Sequence, residues 1–318
     1  MRSVYELSII VVNWNVRDLL ESCLHSIQQH TDLDPSRYEV RIIDNNSSDG
    51  STEMVRKKFP DFHLTENQTN KGFGRANNQA FSDCQGKYIL LLNPDTEVQE
   101  NAIGEMLRLM KTTPEAGILG ARLINSDGSF QRSSGGALPT LYNVAWHYLL
   151  LNQILPKQWA PLPTFLIDDI PGTFDIGWVS GAALMLRREV VDKEIFDNQF
   201  FMYGEDLELC DRVQLSGWRV LYTSEATIMH RLRQSLAKQT SAEMLASAIN
   251  GNRTYFQIRH GRLKTWLYDL ILTVGYQIRW PFFSLLSALK KNNDHTKKAV
   301  TNRRYAWVSF KSLLRGGR

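Results

Sequence analysis

The first half of the chain alternates between short apolar runs and apolar residues at helical spacing. Residues 7–14 form a near-continuous β-branched run, which is typical of a strand buried on both faces in a parallel sheet. Apolar residues then recur every three or four positions between residues 19 and 27, which predicts a helix. A second strand is predicted over residues 38–44, and a segment rich in turn and N-cap residues follows it at 45–51.

The same alternation continues to residue 123. Further helices are predicted near residues 52–59, from residue 76 and at residues 101–111, and further strands at residues 87–92 and 116–123. Repeated β-α units of this length predict an α/β fold with a doubly wound, mostly parallel sheet and right-handed crossovers. Sheets of this kind bind ligands at the carboxyl ends of their strands.

The regular pattern lapses after residue 125 and resumes near residue 177. Residues 126–173 are rich in Gly and Pro, and they are interpreted as a long, partly mobile connection placed to cover a site. A sheet-like run at residues 177–186 follows, and then a predicted helix at 207–216 and a predicted strand at 218–223.

Charge and aromatic content set the C-terminal region apart. Residues 251–318 carry 14 Lys and Arg against 2 Asp, whereas the first 250 residues carry 23 basic and 31 acidic side chains. Residues 263–289 are aromatic and apolar, but charged residues and Pro281 interrupt them, so no membrane-spanning helix is predicted. Interfacial helices with flanking cations fit better, and a helical subdomain packed on the sheet is the alternative.

The overall composition is that of an ordinary globular enzyme and excludes collagen-like, low-complexity and disulfide-scaffold proteins. Hydrophobic residues make up 43% of the 318 and charged residues 22%, which is enough apolar surface for a sizeable core. Cys23, Cys84 and Cys210 lack metal-ligand spacing and are interpreted as inert thiols of a reducing compartment. The first apolar run ends at Asn13, too short for an export signal, so a cytoplasmic location is expected.

Two segments carry carboxylates in positions that suit chemistry. Asp95 follows an apolar strand directly, where a parallel sheet presents metal or phosphate ligands, and Mg²⁺ or Mn²⁺ would be the ion. A helix N-cap is the equally open alternative for this residue. Asp206 lies at the start of the predicted helix beside Glu205, where a carboxylate can act as a general base. The alternative is that both are first-turn residues favoured by the helix dipole.

Two further features are weaker when taken alone. His230 ends an apolar stretch, and a lone His is usually structural, although imidazole also binds Mn²⁺ beside carboxylates. Residues 70–78 form a glycine-bearing loop that opens a helix, and such a terminus can hold a phosphate. This loop lacks the full spacing of a dinucleotide fingerprint or a P-loop.

Seven short segments follow one another along the chain in a specific order. They are Val12-Asn13-Trp14-Asn15, Ile43-Asp44 with the polar run to Ser51, Asn70-Lys71-Gly72-Phe73-Gly74, Leu92-Asn93-Pro94-Asp95, Ser180-Gly181-Ala182, the segment from Phe201 to Cys210, and His230. Together, across roughly residues 5 to 260, they resemble the inverting family 2 glycosyltransferases, and within that family the bacterial rhamnosyltransferase-like branch.

The resemblance implies a GT-A fold, with a nucleotide-sugar-binding catalytic domain over residues 1–250 and a helical region over 251–318. It implies that Asp44 accepts a hydrogen bond from the imide N–H of uracil or thymine. It also implies a nucleotide pocket formed by Val12, Asn13, Asn15, Asn70, Gly72, Asn77, Asn78 and Asn93.

The resemblance also implies roles for the carboxylates. Asp95 takes the place of the family's metal-binding Asp-x-Asp and, with His230, would hold Mg²⁺ or Mn²⁺ on the diphosphate. Asn93 stands where many relatives have Asp, which leaves one protein ligand fewer. Asp206 would be the base, with Glu205 the next candidate.

With one base and no covalent nucleophile, transfer should proceed by a single displacement with inversion at the anomeric carbon. The donor would be a dTDP or UDP sugar, with rhamnose a candidate, and the acceptor a glycan or polyprenyl-linked hydroxyl in cell-surface polysaccharide biosynthesis. The C-terminal region would place the protein on the anionic inner face of the membrane. The residues expected among acyl chains are Trp266, Leu267, Leu270, Ile271, Tyr276, Trp280, Phe282 and Phe283, and those expected at headgroups are Lys290, Lys291, Lys297, Lys298, Arg303 and Arg304. Nucleic acid is not an expected partner, because no nucleic-acid motif accompanies the basic residues.

Three other readings remain open. A non-catalytic nucleotide-sugar-binding protein would need neither Asp206 nor His230. A nucleotidyltransferase would release pyrophosphate instead of a nucleoside diphosphate. A dehydrogenase is disfavoured, because no complete G-x-G-x-x-G follows the first strand.

Overall fold

The computed structural model describes residues 5–231, 241–290 and 293–315 of the chain. Its contacts divide these residues into two compact units. The first, an α/β unit, comprises the described residues of Met1–Leu138 and Phe165–Lys238. The second, a helical unit, comprises those of Pro139–Thr164 and Gln239–Arg318. The helical unit thus takes in part of the irregular connection as well as the C-terminal region.

Strands and helices alternate up to His230, and two long helices follow. The strands are β1 (Tyr5–Asn13), β2 (Tyr38–Asp44), β3 (His63–Glu66), β4 (Gly86–Leu92), β5 (Thr96–Val98), β6 (Ala116–Ile124), β7 (Gly135–Gly136), β8 (Thr173–Asp175), β9 (Trp178–Val179), β10 (Ala183–Arg187) and β11 (Arg219–His230). The helices are α1 (Arg17–His30), α2 (Ser51–Lys58), α3 (Phe73–Asp83), α4 (Ala102–Thr112), α5 (Leu141–Tyr148), α6 (Glu205–Leu215), α7 (Ser241–Lys290) and α8 (Asn293–Arg315).

The α/β unit is built on one nine-stranded sheet, which confirms the predicted fold class. Its strands run in the order β3-β2-β1-β4-β10-β6-β11-β5, and β8 pairs with β11. The pairs among β3, β2, β1 and β4 are parallel, as is the pair of β6 with β11. The central strands β1 and β4 bury both faces, as their continuous apolar runs predict.

Strand β10 is inserted antiparallel between β4 and β6. Its first residue, Ala183, pairs with Leu92, the last residue of β4. The antiparallel direction therefore brings the Ser180-Gly181-Ala182 segment to the edge where the parallel strands end.

The sheet-like run at 177–186 is two strands, because β9 pairs with β7 in a separate two-stranded sheet before β10 enters the main one. Strand β11 extends beyond the predicted end at 223 to His230, through a register shift between Thr223 and Thr227. That extension places His230 opposite Thr96 on β5.

The helical unit buries several polar side chains beside its aromatic core and leaves other large apolar side chains exposed. Helix α7 breaks at Gly261, where φ is 75°, and continues through Pro281. The fully buried Asp269 accepts a hydrogen bond from Arg253 Nε at 2.8 Å. Among the described residues, no helix carries an apolar stretch long enough to cross a membrane.

All three cysteines are buried in the α/β unit. Burial raises the pKa of Cys23 and of Cys84 to about 12, and it raises the pKa of Cys210 further. A thiol with so high a pKa is a poor nucleophile.

Candidate active site

The first part of the site lies where β1 and β2 end side by side. Asn13 pairs with Asp44 across these parallel strands, and its Nδ2 donates to Asp44 Oδ1 at 2.7 Å. The other carboxylate oxygen of Asp44 accepts from the backbone N–H of Ser47 at 2.7 Å. Asn13 Oδ1 is a buried acceptor without a hydrogen-bond partner in the described part of the chain. Because an unmet buried acceptor costs free energy, this oxygen suits a ligand donor.

The turn after β1 is fixed by the polar run that follows β2. Asn15 adopts a left-handed conformation with φ of 56°, which Asn tolerates better than most residues. Its backbone N–H donates to Ser47 Oγ, and its Oδ1 accepts from Ser48 N, both at 2.8 Å. The backbone of this turn is therefore held on both sides, beside the nearly buried Val12.

The glycine-bearing loop before α3 closes over this edge. Asn45 Nδ2 donates to the carbonyl of Gly72 at 3.2 Å, and Asn70 Oδ1 accepts from Gly72 N at 2.8 Å. Gly72 has a φ of +84°, and a Cβ there would lie 2.8 Å from the carbonyl oxygen of Phe201. Only glycine combines this backbone angle with so close an approach.

Two of the sequence-predicted nucleotide residues make internal contacts. Asn77 Nδ2 donates to the Phe73 carbonyl one helical turn earlier, at 3.0 Å. Asn78 bonds the backbone of Phe196 in both directions, as donor at 2.7 Å and as acceptor at 2.9 Å. Asn78 thus holds the segment before α6 against α3, whereas Asn77 bonds within its own helix, and direct nucleotide contact by either stays a prediction.

The second part of the site is the pair of Asp95 and His230, both nearly buried. His230 Nε2 lies 3.3 Å from Asp95 Oδ1, and His230 Nδ1 lies 3.1 Å from Gln131 Oε1. The amide nitrogen of Gln131 donates to Asn125 Oδ1 at 2.9 Å and to the carbonyl of His230. This orients Gln131 Oε1 as the acceptor, so the Nδ1 of His230 carries the proton.

The arrangement fits a divalent cation. With Gln131 on its Nδ1 side, the His230 ring turns Nε2 towards Asp95 Oδ1, and these two potential ligand atoms, 3.3 Å apart, are close enough to share one cation. Within the described ranges, no three His, Cys, Asp or Glu side chains gather as a preformed site. Mg²⁺ and Mn²⁺ need few protein ligands when phosphate oxygens complete the coordination. Asn93, whose backbone N–H donates to the Ala182 carbonyl at 3.0 Å, lies two residues before Asp95.

The third part of the site is the N-terminus of α6. Tyr203 and Gly204 have φ of 69° and 89°, and this tight turn leads directly into the helix at Glu205. Asp206 is half-buried and accepts from the backbone N–H of Leu207 at 2.9 Å and of Gly181 at 3.4 Å. Burial raises the pKa of Asp206 to about 6.

Glu205 has a different environment. It is 6% exposed, and its Oε2 has no hydrogen-bond partner in the described part of the chain. Burial and the neighbouring Asp206 carboxylate raise the pKa of Glu205 to about 8. At pH 7 Glu205 is therefore mostly protonated, while Asp206 is mostly ionised.

The three parts are joined by direct contacts and by charge. A Cβ placed on Gly181 would lie 3.5 Å from the Phe73 ring and 3.9 Å from the Asp206 side chain, so the loop before α3, the start of β10 and α6 meet there. Burial raises the pKa of Tyr203, and the carboxylates of Glu205 and Asp95 add to that rise. Tyr203 thus lies within electrostatic reach of both carboxylate groups.

Two residues of this site, Gln131 and Tyr203, have no role predicted from the sequence. Gln131 lies in the irregular segment 126–173 and contacts His230 from 99 positions away, so no local pattern indicates it. Tyr203 lies inside the motif before α6, but its left-handed backbone is visible only in the structure. A run of Tyr-Gly at a helix start is the signal that could have indicated the turn.

Comparison with known proteins identifies the family and the fold of the chain. Residues 8–194 match the family model described as glycosyl transferase family 2. A curated relative from Mycobacterium tuberculosis, N-acetylglucosaminyl-diphospho-decaprenol L-rhamnosyltransferase, is 26% identical over 254 residues, which cover 76% of this chain and 80% of that protein.

Solved structures show the same fold at low identity. The mannosyltransferase PcManGT from Pyrobaculum calidifontis, in complex with GDP-Man and Mn²⁺, has a TM-score of 0.57 at 14% identity, covering 97% of this chain and 87% of that one. GalNAc-T7 with UDP, GalNAc and Mn²⁺ has a TM-score of 0.60 at 13% identity, covering 84% of this chain and 50% of that one. The fold is therefore of the GT-A type, and the chain belongs to glycosyl transferase family 2.

Proposed function

We propose that this protein transfers a sugar from a nucleoside diphosphate to a hydroxyl of a lipid-linked glycan acceptor, with inversion at the anomeric carbon. The observation that carries the proposal is the placement of Asp206. Its carboxylate lies at the start of α6 against Gly181, and the adjacent Ala182 carbonyl accepts from the backbone N–H of Asn93, two residues before Asp95. These contacts support a base and a diphosphate-binding side in one site.

Asp206 has the properties of a general base. A base works best when its pKa lies near the working pH, and burial holds the pKa of Asp206 near 6. It would take the proton of the acceptor hydroxyl as the oxygen attacks the anomeric carbon and the bond to the diphosphate breaks. The protonated Glu205 beside it cannot accept that proton at neutral pH, so it shapes the environment of Asp206 instead.

The edge formed by β1 and β2 suits the donor base. Asp44 keeps unused lone pairs after accepting from Asn13 and Ser47, so it can accept the imide N–H of uracil or thymine. Asn13 Oδ1 supplies a second buried acceptor. These acceptors favour a UDP or dTDP donor, since uracil and thymine both carry an imide N–H that can donate to them.

Asp95 and His230 suit the diphosphate. A bound Mg²⁺ or Mn²⁺ would stabilise the charge that develops on the leaving diphosphate. The Mn²⁺ in the names of two structural neighbours is consistent with such an ion. Gln131 keeps the His230 ring in the tautomer that a cation needs.

The mycobacterial relative supports the substrate classes. Its name gives an L-rhamnosyl donor and an acceptor built on a decaprenyl diphosphate, and this chain covers 80% of it. We therefore take rhamnose as the first sugar to test and a polyprenyl-diphosphate-linked saccharide as the first acceptor. The outward aromatic residues of the helical unit would keep the protein at the anionic inner face of the membrane, where such an acceptor resides.

The proposal is tested by comparing Asp206→Asn with Glu205→Gln. Asp206→Asn removes the base and should lower transfer by about 10²- to 10⁴-fold, since this is the usual contribution of general base catalysis. Glu205→Gln mimics the protonated carboxyl and should keep transfer within about tenfold of the wild type. Release of nucleoside diphosphate in the presence of acceptor is the measurement, with donor binding followed by calorimetry.

Four results would contradict the proposal. Near-normal turnover by Asp206→Asn would remove it from the role of base, and loss of donor binding in that variant would make its effect structural. Release of pyrophosphate instead of a nucleoside diphosphate would indicate a nucleotidyltransferase. Donor binding by the wild type without any transfer across a panel of acceptors would indicate a non-catalytic binding protein.

A further inference from the structure

Helix α8 has an unusual distribution of side chains in the helical unit. Among its described side chains, the buried ones are small or polar, namely Asn302, Ala306 and Ser309. Its exposed described side chains include three large apolar residues that are 38% to 60% exposed, namely Val300, Trp307 and Phe310. Globular helices normally bury the large apolar residues and expose the small polar ones. The outward stripe of α8 is therefore suited to a contact outside the described chain.

This stripe lines a cleft between α8 and the second part of α7. The cleft has a volume of about 670 Å³, which is within the range of small-molecule sites. Trp280 of α7, 41% exposed, contributes the facing aromatic wall, and Trp307 and Phe310 lie along the α8 side. The lining is therefore mostly aromatic and apolar.

Two cations lie in the same cleft. The Arg303 guanidinium lies 5.4 Å from the centre of the Trp280 ring, and Arg304 lines the cleft beside it. Guanidinium groups bind phosphate oxygens with paired hydrogen bonds, and aromatic stacking restricts the orientation of Arg303. The cleft thus combines an apolar surface with a phosphate-binding edge.

From this combination we propose that the cleft binds the isoprenoid diphosphate portion of the lipid-linked acceptor. The apolar stripe would cover isoprene units, and Arg303 with Arg304 would bind the diphosphate. The inference rests on the proposed function, because it takes the acceptor to be a polyprenyl diphosphate. An ordinary anionic phospholipid or a second copy of the chain would not need both features of the cleft, the apolar stripe and the two guanidinium groups.

The test measures binding of farnesyl diphosphate, a short soluble isoprenoid diphosphate, to the full-length protein by quenching of tryptophan fluorescence and by calorimetry. Farnesyl diphosphate should bind at least about tenfold more tightly than either inorganic pyrophosphate or farnesol, because both halves contribute. The double variant Arg303→Gln/Arg304→Gln should weaken this binding at least about tenfold. Trp307→Ala should also weaken it.

A matched control removes two cations elsewhere on α7. Arg262 and Lys264 are exposed and do not line the cleft. Arg262→Gln/Lys264→Gln should therefore leave farnesyl diphosphate binding within about twofold of the wild type, although the net charge changes equally. Equal weakening by both double variants would overturn the proposal in favour of a general charge effect.

Three other results would overturn the cleft assignment. Equal affinity for pyrophosphate and farnesyl diphosphate would show that the apolar stripe contributes nothing. Displacement of farnesyl diphosphate by phosphatidylglycerol vesicles that lack isoprenoid would indicate a general lipid surface. A change of oligomeric state in Trp307→Ala, measured by light scattering with farnesyl diphosphate binding unchanged, would indicate a contact between copies.

Transfer assays separate this inference from the proposed function. The Arg303→Gln/Arg304→Gln variant should raise KM for a polyprenyl-linked acceptor and leave transfer to a soluble acceptor without isoprenoid unchanged. Loss of both activities would contradict a role confined to the acceptor lipid. If the wild type transfers to neither acceptor, the proposed function fails, and the binding measurement still decides the chemistry of the cleft.

Discussion

Glu205 and Asp206 are adjacent in the sequence, yet they differ in protonation at neutral pH. The sequence indicates both as candidate bases, since each lies at the start of a helix. The structure separates them by environment: Asp206 accepts two backbone N–H groups, whereas Glu205 Oε2 has no hydrogen-bond partner in the described part of the chain. Protonation at this site is thus decided by burial and hydrogen bonding, which no residue pattern encodes.

Glu205 should make the stability of the fold depend on pH. Its pKa is about 8 in the folded protein and near 4.5 when unfolded, so the folded state binds more protons between these values. Stability should therefore fall as pH rises through this window. Glu205→Gln cannot ionise, so its Tm should exceed that of the wild type by at least about 2 °C near pH 8.

Thermal unfolding at about pH 5 and about pH 8 measures this effect. Near pH 5 the Glu205 carboxyl is neutral in the folded protein and partly ionised in the unfolded chain, so the two proteins should unfold at much closer temperatures than near pH 8. A variant that loses stability at about pH 8, or that gains equally at both values, would contradict the assignment of a protonated Glu205.

The candidate cation site shows how much of the site can be predicted from the sequence. It comprises Asp95, His230 and Gln131. The strand-end position of Asp95 and the order of motifs indicate Asp95 and His230. Gln131 cannot be predicted from the sequence, because it lies in an aperiodic segment. Its role depends on a contact with His230 across the fold. A residue that acts by orienting another side chain leaves no signal in local spacing.

Among the elements, the buried parallel strands are the most predictable. Strands β1, β2, β4 and β6 follow their apolar runs closely, because burial on both faces requires continuous apolar residues. The direction of β10 is not predictable in this way, since an apolar run reads the same for parallel and antiparallel strands. That direction brings Gly181 to Asp206.

The loop before α3 is the element where a single methyl group should matter most. Gly72→Ala forces a side chain into a conformation with φ of 84° and ψ of 173°, which is open almost only to glycine, and places Cβ 2.8 Å from the Phe201 carbonyl. The conformational cost is about 1–3 kcal/mol, and relieving the overlap should shift the loop over the proposed donor edge. Donor KM should rise at least about tenfold and Tm should fall by several degrees.

Gly128→Ala is the matched control for this loop. Gly128 has a similar φ of +80°, but nothing lies within 4 Å of a Cβ placed there. It should therefore lower Tm through the conformational cost alone and leave donor KM unchanged. If Gly72→Ala and Gly128→Ala behave alike, close packing of the Gly72 loop on Phe201 has no part in donor binding.

At the scale of the molecule, composition and contacts divide the chain at different places. The change in charge near residue 250 separates a mildly acidic part from a basic one, whereas the helical unit also takes in described residues of Pro139–Thr164. Charge bias reports a surface property, and it cannot show which earlier segment packs with the C-terminal helices.

The membrane expectation stays a prediction, and the structure contradicts it for one residue. Trp266 and Phe282 are 42% and 44% exposed, whereas the partly exposed Trp280 forms a wall of the α8 cleft. Tyr276 is not available to acyl chains, because it is buried and stacks on Tyr305 at 4.7 Å between ring centres. Of the expected headgroup contacts, Arg303 and Arg304 are exposed, and the side chains of the other four lie outside the described residues, namely Lys290, Lys291, Lys297 and Lys298.

We expect the full-length protein to float with anionic vesicles. Leu263 and Trp266 are 72% and 42% exposed and flank the cation Lys264, an arrangement suited to the headgroup boundary. Leu263→Gln/Trp266→Gln should lower the bound fraction severalfold in a flotation assay. A wild-type chain that stays unbound on anionic vesicles, or a variant that binds as well, would count against membrane association.

The buried cysteines have a practical consequence. All three lie in the α/β unit and have raised pKa values, so they should not react with thiol reagents in the native protein. A cysteine introduced on the helical unit would then be the sole site for a fluorescent dye or spin label. Distance measurements with such labels therefore need no prior substitution of a native cysteine.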